Sequence, residues 1–112
     1  MSFNSEAKLK ECLITTNCVL VEWKFKDLQI QFNNLVEIAS QLPRTVVLEE
    51  SNSYWHGVCR SFIFRFPDDL QILKLPREGT IQVRSASRLG ASDLGVNRNR
   101  VNYLYRKLIK KQ

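Results

Sequence analysis

The sequence has only one histidine, His56, and none of its three cysteines form a Cys-X-X-Cys pair. A zinc site built from several histidines or from closely spaced cysteines is therefore excluded within one chain. No apolar run approaches the roughly 20 residues that a membrane-spanning helix requires. Glycine-rich phosphate loops, dinucleotide-binding fingerprints and EF-hand loops are also missing, so we expect no cofactor.

Cysteine usage and the N-terminus together predict the compartment. The cysteine count is odd, with Cys12, Cys18 and Cys59, and residues 1–8 lack the basic and apolar regions of a secretory signal. Disulfides persist in oxidising compartments and are rare in the cytosol. We therefore expect a cytoplasmic protein in which all three thiols are free.

The basic excess is concentrated at the C-terminal end of the chain. Six of the 17 Lys and Arg residues lie in 98–112, a segment without acids, which leaves 11 bases against 11 acids elsewhere. Such a segment attracts phosphates or an acidic partner, or it is a solvated helix face. Because the sequence lacks a nucleic-acid-binding motif, it supports no more than nonspecific attraction to nucleic acid.

Apolar periodicity predicts a polar arm over 1–17 and one α+β domain over 18–112. Strands are expected at about 19–25, 45–50, 54–64, 70–75 and 80–85, and helices at about 28–42 and 97–110. Asp27 and Asn97 stand where helix N-caps are expected. The order β-α-β-β-β-β-α predicts an antiparallel sheet of about five strands with both helices on one face.

The segment 83–100 differs in composition from the rest of the chain. It holds four arginines, three serines, two asparagines and one aspartate, between the last predicted strand and the last predicted helix. Arginine guanidinium groups, serine hydroxyls and the N–H groups of a helix N-terminus can together bind a phosphate or a carboxylate. The candidate binding residues are Arg84, Ser85, Ser87, Arg88, Ser92, Asp93, Asn97, Arg98 and Arg100, with Asp68 and Asp69 upstream.

A purely structural role for the same segment stays open. Nearby aspartates are able to pair with its arginines and lock the loop against the sheet, because half-buried arginines require such partners. The residues concerned are Asp68, Asp69 and Asp93 on one side and Arg84, Arg88 and Arg98 on the other.

Two functions follow if the segment is instead a site. The first is a non-enzymatic domain that holds an unidentified anionic ligand or a protein partner. The second is a small enzyme in which the segment clamps an anion or oxyanion and Asp68, Asp69 or His56 serves as acid or base.

The segment also carries a family resemblance. It closely resembles the motif that defines the domain of unknown function 1499 family, through the run Val-Arg-Ser-Ala-Ser-Arg-Leu-Gly-Ala-Ser-Asp-Leu-Gly-Val-Asn-Arg-Asn-Arg-Val. Weaker motifs of that family match in the expected order at Asn17-Cys18-Val19, Tyr54-Trp55 and 61–69. The resemblance covers most of 17–109 and implies family membership. It implies no activity, because the family has no established biochemical function.

Overall fold

The computed structural model describes residues 7–89 and 93–112, and these contain five strands and two helices. The strands are β1 (Cys18–Lys24), β2 (Thr45–Glu50), β3 (Tyr54–Arg60), β4 (Pro67–Leu75) and β5 (Thr80–Ser87). The helices are α1 (Leu28–Ser40) and α2 (Val96–Lys110). The predicted element order and the α+β fold class are confirmed.

The five strands form one antiparallel sheet in the order β1-β5-β4-β3-β2. Val21, Val83, Ile72 and Trp55 are register partners across four of these strands and share one face of the sheet. Because side chains alternate along a strand, the sheet has a helix face that contains these residues and an open face opposite it.

Both helices pack their apolar stripes on the helix face. Leu35 of α1 and Leu104 of α2 belong to the same buried cluster as Trp55, and all three are fully enclosed. Burial of each such side chain stabilises the fold by about 1.5–3 kcal/mol. Gly57 fits beneath the Trp55 ring, since an added Cβ would lie 2.5 Å from ring atom Cη2. The core therefore lies between the helix face of the sheet and the two helices.

Of the two predicted helix caps, Asp27 is the N-cap residue of α1 as expected, whereas Asn97 is not the N-cap residue of α2. The Asp27 carboxylate accepts a hydrogen bond from Gln31 Nε2 at 3.1 Å and makes no side-chain cap. Gly95, with a φ of 85°, is the N-cap position of α2, so Asn97 lies inside its first turn. Asp93 supplies the capping oxygens instead, accepting the backbone N–H groups of Gly95 and Asn97 at 2.8 and 3.0 Å. The left-handed turn before α2 brings this carboxylate back over the helix end.

The N-terminal arm is fastened to the sheet. Cys12 and Cys18 form a disulfide, and Cys59 is free and buried, so the expectation of three free thiols is wrong. An odd count requires only one unpaired cysteine, and a reversal of the chain between the bonded pair brings their Cα atoms to 5.6 Å. The Leu9 N–H also donates to Gln82 Oε1 at 2.8 Å. The cytoplasmic expectation, which rested on free thiols, loses that support.

No helix in the described part of the chain combines the length and the apolar character needed to cross a membrane.

Candidate binding cleft

Four of the predicted site residues converge in a buried cluster between β4, β5 and α2. The Arg100 guanidinium is its centre, with Nη1 donating to Asp68 Oδ2 at 2.9 Å. The same nitrogen donates to Asn97 Oδ1 at 2.9 Å and to Ser85 Oγ at 3.1 Å. The Ser85 hydroxyl in turn donates to Asn97 Oδ1 at 2.6 Å. Only 4% of the Asp68 side chain and 11% of the Arg100 side chain are exposed.

Asn97 extends this cluster to the loops around it. Its Nδ2 donates to Asp93 Oδ2 at 2.6 Å and to the carbonyl oxygen of Asn17 at 3.2 Å. Asn17 Nδ2 donates to the carbonyl oxygen of Leu89 at 3.1 Å. We call Asp68, Ser85, Asp93, Asn97 and Arg100 the polar lock, because together they fix α2 and the segment before it against the sheet.

Burial and hydrogen bonding act differently on the two carboxyls of the polar lock. Burial raises the pKa of Asp68, although the charge and hydrogen bond of Arg100 oppose the rise. Burial also acts to raise the pKa of Asp93, but hydrogen bonds from Asn97 and Gly95 outweigh it, and that pKa lies below its ordinary value. Both shifts originate in contacts within the protein.

A second charged cluster lies on the open face, around Asp69. Arg88 donates to both carboxylate oxygens, from Nε at 2.8 Å and from Nη2 at 2.9 Å. His56 Nε2 lies 2.8 Å from Asp69 Oδ1. Burial acts to raise the pKa of Asp69, but these hydrogen bonds and charges outweigh it and lower that pKa. Because His56 and Asp68 lie on opposite faces of the sheet, no acid/base relay joins them.

The structure thus separates the predicted site residues into groups. The Arg88–Asp69 pair is among those expected, whereas Asp68 pairs with Arg100 and Asp93 acts as a helix cap. Within the described part of the chain, Arg84 and Arg98 form no ion pair. The remaining serines are Ser87, whose hydroxyl accepts the Leu89 N–H at 3.0 Å, and Ser92, which lies outside the described residues.

A large apolar surface borders the polar lock, and the sequence reasoning missed it. Residues 61–64, predicted as the end of a strand over about 54–64, belong instead to a loop of residues 61–66 between β3 and β4. Phe62, Ile63 and Phe64 are 71%, 75% and 69% exposed, and Leu94 before α2 is 90% exposed. The missed signal was the unbroken apolar run 62–64, because a strand with one solvated face should alternate.

These two segments form the walls of one cleft of about 320 Å³. Its apolar lining consists of Phe62, Ile63, Phe64 and Phe66 on one wall and Leu89, Leu94 and Val96 on the other. Asp68, Ser87 and Asp93 add a few polar groups to the lining. The cleft therefore combines an apolar wall with residues of the polar lock.

Loop 61–66 is held in its shape by its own hydrogen bonds. Ser61 N donates to the carbonyl oxygen of Phe66 at 3.1 Å, and Phe66 N donates to Ser61 Oγ at 3.0 Å. Arg60 Nη1 donates to the carbonyl oxygen of Arg65 at 3.1 Å. Arg65 adopts a φ of 59°, and the Phe64 and Phe66 rings stack at 5.3 Å. The loop is consequently preformed, with its apolar tip turned outward.

The profile of a family described as "Protein of unknown function (DUF1499)" matches residues 8–108. The chain belongs to this family. A search among curated proteins finds no match. The DUF1499 match spans the polar lock and both walls of the cleft, and it confirms the predicted family membership.

This DUF1499 member has a further hollow of about 250 Å³ between the arm and β5. Lys10, Arg84 and Arg88 line it together with Glu11. The Nε atom of Arg84 is buried and has no hydrogen-bond partner among the described residues. Such an atom retains the capacity to donate to an anionic oxygen. Among the described residues, no three His, Cys, Asp or Glu side chains come together as metal ligands.

Proposed function

We propose that this DUF1499 member is a non-enzymatic binding domain whose cleft receives an apolar group of its partner. The observation that carries the proposal is the exposure of Phe62, Ile63, Phe64 and Leu94 around a single cleft. Contiguous exposed apolar patches mark interaction sites, since leaving them in water is unfavourable. Apolar clefts of about 300–1,000 Å³ with a few polar groups hold ligand groups of small size.

In this proposal the Arg/Ser/Asn segment supports binding indirectly. Two of its four arginines are already paired within the protein, Arg88 with Asp69 and Arg100 with Asp68. The polar lock fixes the start of α2 and, through Asn17, the backbone at Leu89. It therefore sets the position of one cleft wall relative to the other.

The neutral detergent n-octyl-β-glucoside, kept below its critical micelle concentration, tests this proposal in an NMR titration. We expect resonances of 61–66, Leu89 and Leu94 to shift. The variant Ile63→Ser/Phe64→Ser should bind at least about tenfold more weakly, because each buried apolar side chain contributes about 1.5–3 kcal/mol.

The matched control is Leu13→Ser/Ile14→Ser, which removes an adjacent exposed apolar pair on the arm, outside the cleft. It should bind the detergent as the wild type does. Equal weakening in both variants, or shifts that map elsewhere, would contradict the cleft as the binding site.

The predicted anion role has one specific observation in its favour: Arg84 lines the hollow beneath the arm, and its Nε has no hydrogen-bond partner in the part of the chain that the structure describes. As a second candidate, this hollow takes a carboxylate or phosphate group between Arg84 and Lys10. Titration with inorganic phosphate should shift resonances around Arg84, and Arg84→Gln should abolish the shift. The control Arg106→Gln on α2 should not change it. A response that survives Arg84→Gln would exclude this site.

A further inference from the structure

Loop 61–66 has the form of a membrane-inserting tip. Its three outermost side chains, Phe62, Ile63 and Phe64, are large, apolar and more than two-thirds exposed. Hydrogen bonds between Ser61 and Phe66 pair the backbone N–H groups at the two ends of the loop with acceptors inside the loop. Backbone polar groups that are paired within the protein lower the free-energy cost of entering an apolar phase.

Three arginines accompany this tip, and we call them the collar. Arg44, Arg60 and Arg65 are all exposed, and none forms an ion pair within the described part of the chain. The Arg44 guanidinium lies 5.2 Å from the Phe62 ring centroid, and its Nε donates to the carbonyl oxygen of Arg60 at 3.1 Å. Hydrogen bonding also joins Arg60 to Arg65. The Arg44 and Arg60 guanidinium groups are therefore held beside the loop, and Arg65 lies within it.

The charge of this collar is uncompensated. Residues 51–67 contain two arginines and no acid. On the C-terminal side the next acids, Asp68 and Asp69, are already paired with Arg100 and Arg88. On the N-terminal side the next acids, Glu49 and Glu50, lie at the end of β2 that is distant from Arg44. The end of the domain thus presents positive charge beside an apolar projection.

We infer that this end docks on an anionic lipid bilayer, with the tip among the acyl chains and the collar at the phosphates. The inference rests on the proposed function, because it assigns the apolar group in the cleft to a lipid chain. An anionic bilayer offers an apolar interior beneath a layer of negative charge, which matches the order of tip and collar. Each arginine near such a surface strengthens binding about fivefold.

Co-sedimentation with vesicles tests the inference. We expect the protein to bind vesicles of phosphatidylcholine and phosphatidylglycerol in equal parts, to bind pure phosphatidylcholine much more weakly, and to be released by salt. Ile63→Ser/Phe64→Ser should weaken binding at least about tenfold. Arg65→Gln should weaken it about fivefold. The controls Leu13→Ser/Ile14→Ser and Arg106→Gln should match the wild type.

Two outcomes would overturn the inference. One is no binding of the wild type to anionic vesicles, and the other is equal weakening by Arg65→Gln and Arg106→Gln. If octyl glucoside still enters the cleft while vesicles do not bind, only the bilayer inference fails, and the occupant is an apolar side chain of a protein. If neither binds, the proposed function fails as well.

Discussion

Asp68 and Asp69 follow one another in β4, yet their surroundings are opposite. Asp68 lies on the helix face beneath α2, almost fully enclosed with Arg100, and burial raises its pKa. Asp69 lies on the open face within reach of Arg88 and His56, and hydrogen bonds and charge lower its pKa against the effect of burial. Asp68 therefore stabilises the buried contact between the sheet and α2, whereas Asp69 pairs with side chains on the open face of the sheet.

The same end of the sheet shows a second contrast, between the polar lock and loop 61–66. The polar lock buries charged and polar groups, whereas the loop exposes phenylalanines, and this reverses the usual distribution. Buried charges require complete pairing, which the polar lock supplies internally. The Phe62 and Phe64 rings stay largely exposed although Arg44 and Phe66 contact them, which is why we propose that they take part in recognition.

Breaking the buried pair should have the largest effect. Arg100→Met leaves the Asp68 carboxylate buried without its counter-ion, which should lower the free energy of unfolding by about 3–5 kcal/mol. Arg88→Met, its counterpart on the open face, should cost clearly less because that pair is partly solvated. Urea unfolding at neutral pH measures both.

A double variant sharpens this prediction. Asp68→Asn/Arg100→Met leaves no unpaired charge and should recover part of the stability lost in Arg100→Met. If the single variants at Arg88 and Arg100 lose the same stability, the distinction between the two faces is wrong.

The two aspartates should also give opposite pH dependences. The ordinary pKa is 3.8, above which native Asp68 keeps a proton that the unfolded chain has lost. Its contribution to stability therefore declines as the pH rises through its folded pKa. Native Asp69 instead stays ionised below 3.8, so its contribution is lost as the pH falls through its lowered pKa.

Urea unfolding between about pH 2 and about pH 7 separates these contributions. Asp68→Asn should flatten the stability profile above 3.8 and Asp69→Asn should flatten it below that value. Profiles that change on the same side in both variants would contradict the opposite signs.

Reducing the disulfide should have a moderate effect. The bond closes a short loop between residues six apart, so dithiothreitol should lower stability by about 2 kcal/mol at most. Cys12→Ser should already show the lower unfolding temperature and should not respond to the reductant. Thiol titration of the denatured, unreduced protein should find one thiol, Cys59; a count of three would contradict the disulfide.

Neutralising the C-terminal lysines should have the smallest effect. Lys111 pairs with Glu37 at an exposed position, and Lys107 lies 5.7 Å from the Tyr103 ring centroid. Exposed pairs of this kind contribute about 0–1 kcal/mol. The variant Lys107→Gln/Lys110→Gln/Lys111→Gln should therefore unfold within about 1 kcal/mol of the wild type. A larger loss would show that the basic face of α2 has a structural role.

The spacing of apolar residues in the sequence predicted the order of elements, because it alternates in the observed strands and has helical spacing in the observed helices. They misplaced the start of β4, since Asp68 and Asp69 resemble turn residues until their partners on α2 and β5 are known. They left the segment 83–100 open between a site and a structural lock, because the choice depends on contacts distant in sequence. The spacing of Cys12 and Cys18 in the sequence also did not indicate the disulfide between them.

Thermal unfolding of Ile63→Ser/Phe64→Ser with and without octyl glucoside tests the central claim most directly. A ligand that binds only the folded state stabilises it by RT ln(1 + [L]/Kd) and so raises the unfolding temperature. Without detergent, we expect the free energy of unfolding of the variant to lie within about 0.5 kcal/mol of that of the wild type, because the substituted positions are exposed. With detergent, the wild-type unfolding temperature should rise and that of the variant should not. A variant that is strongly destabilised yet still stabilised by the detergent would show that loop 61–66 belongs to the core and that binding takes place elsewhere.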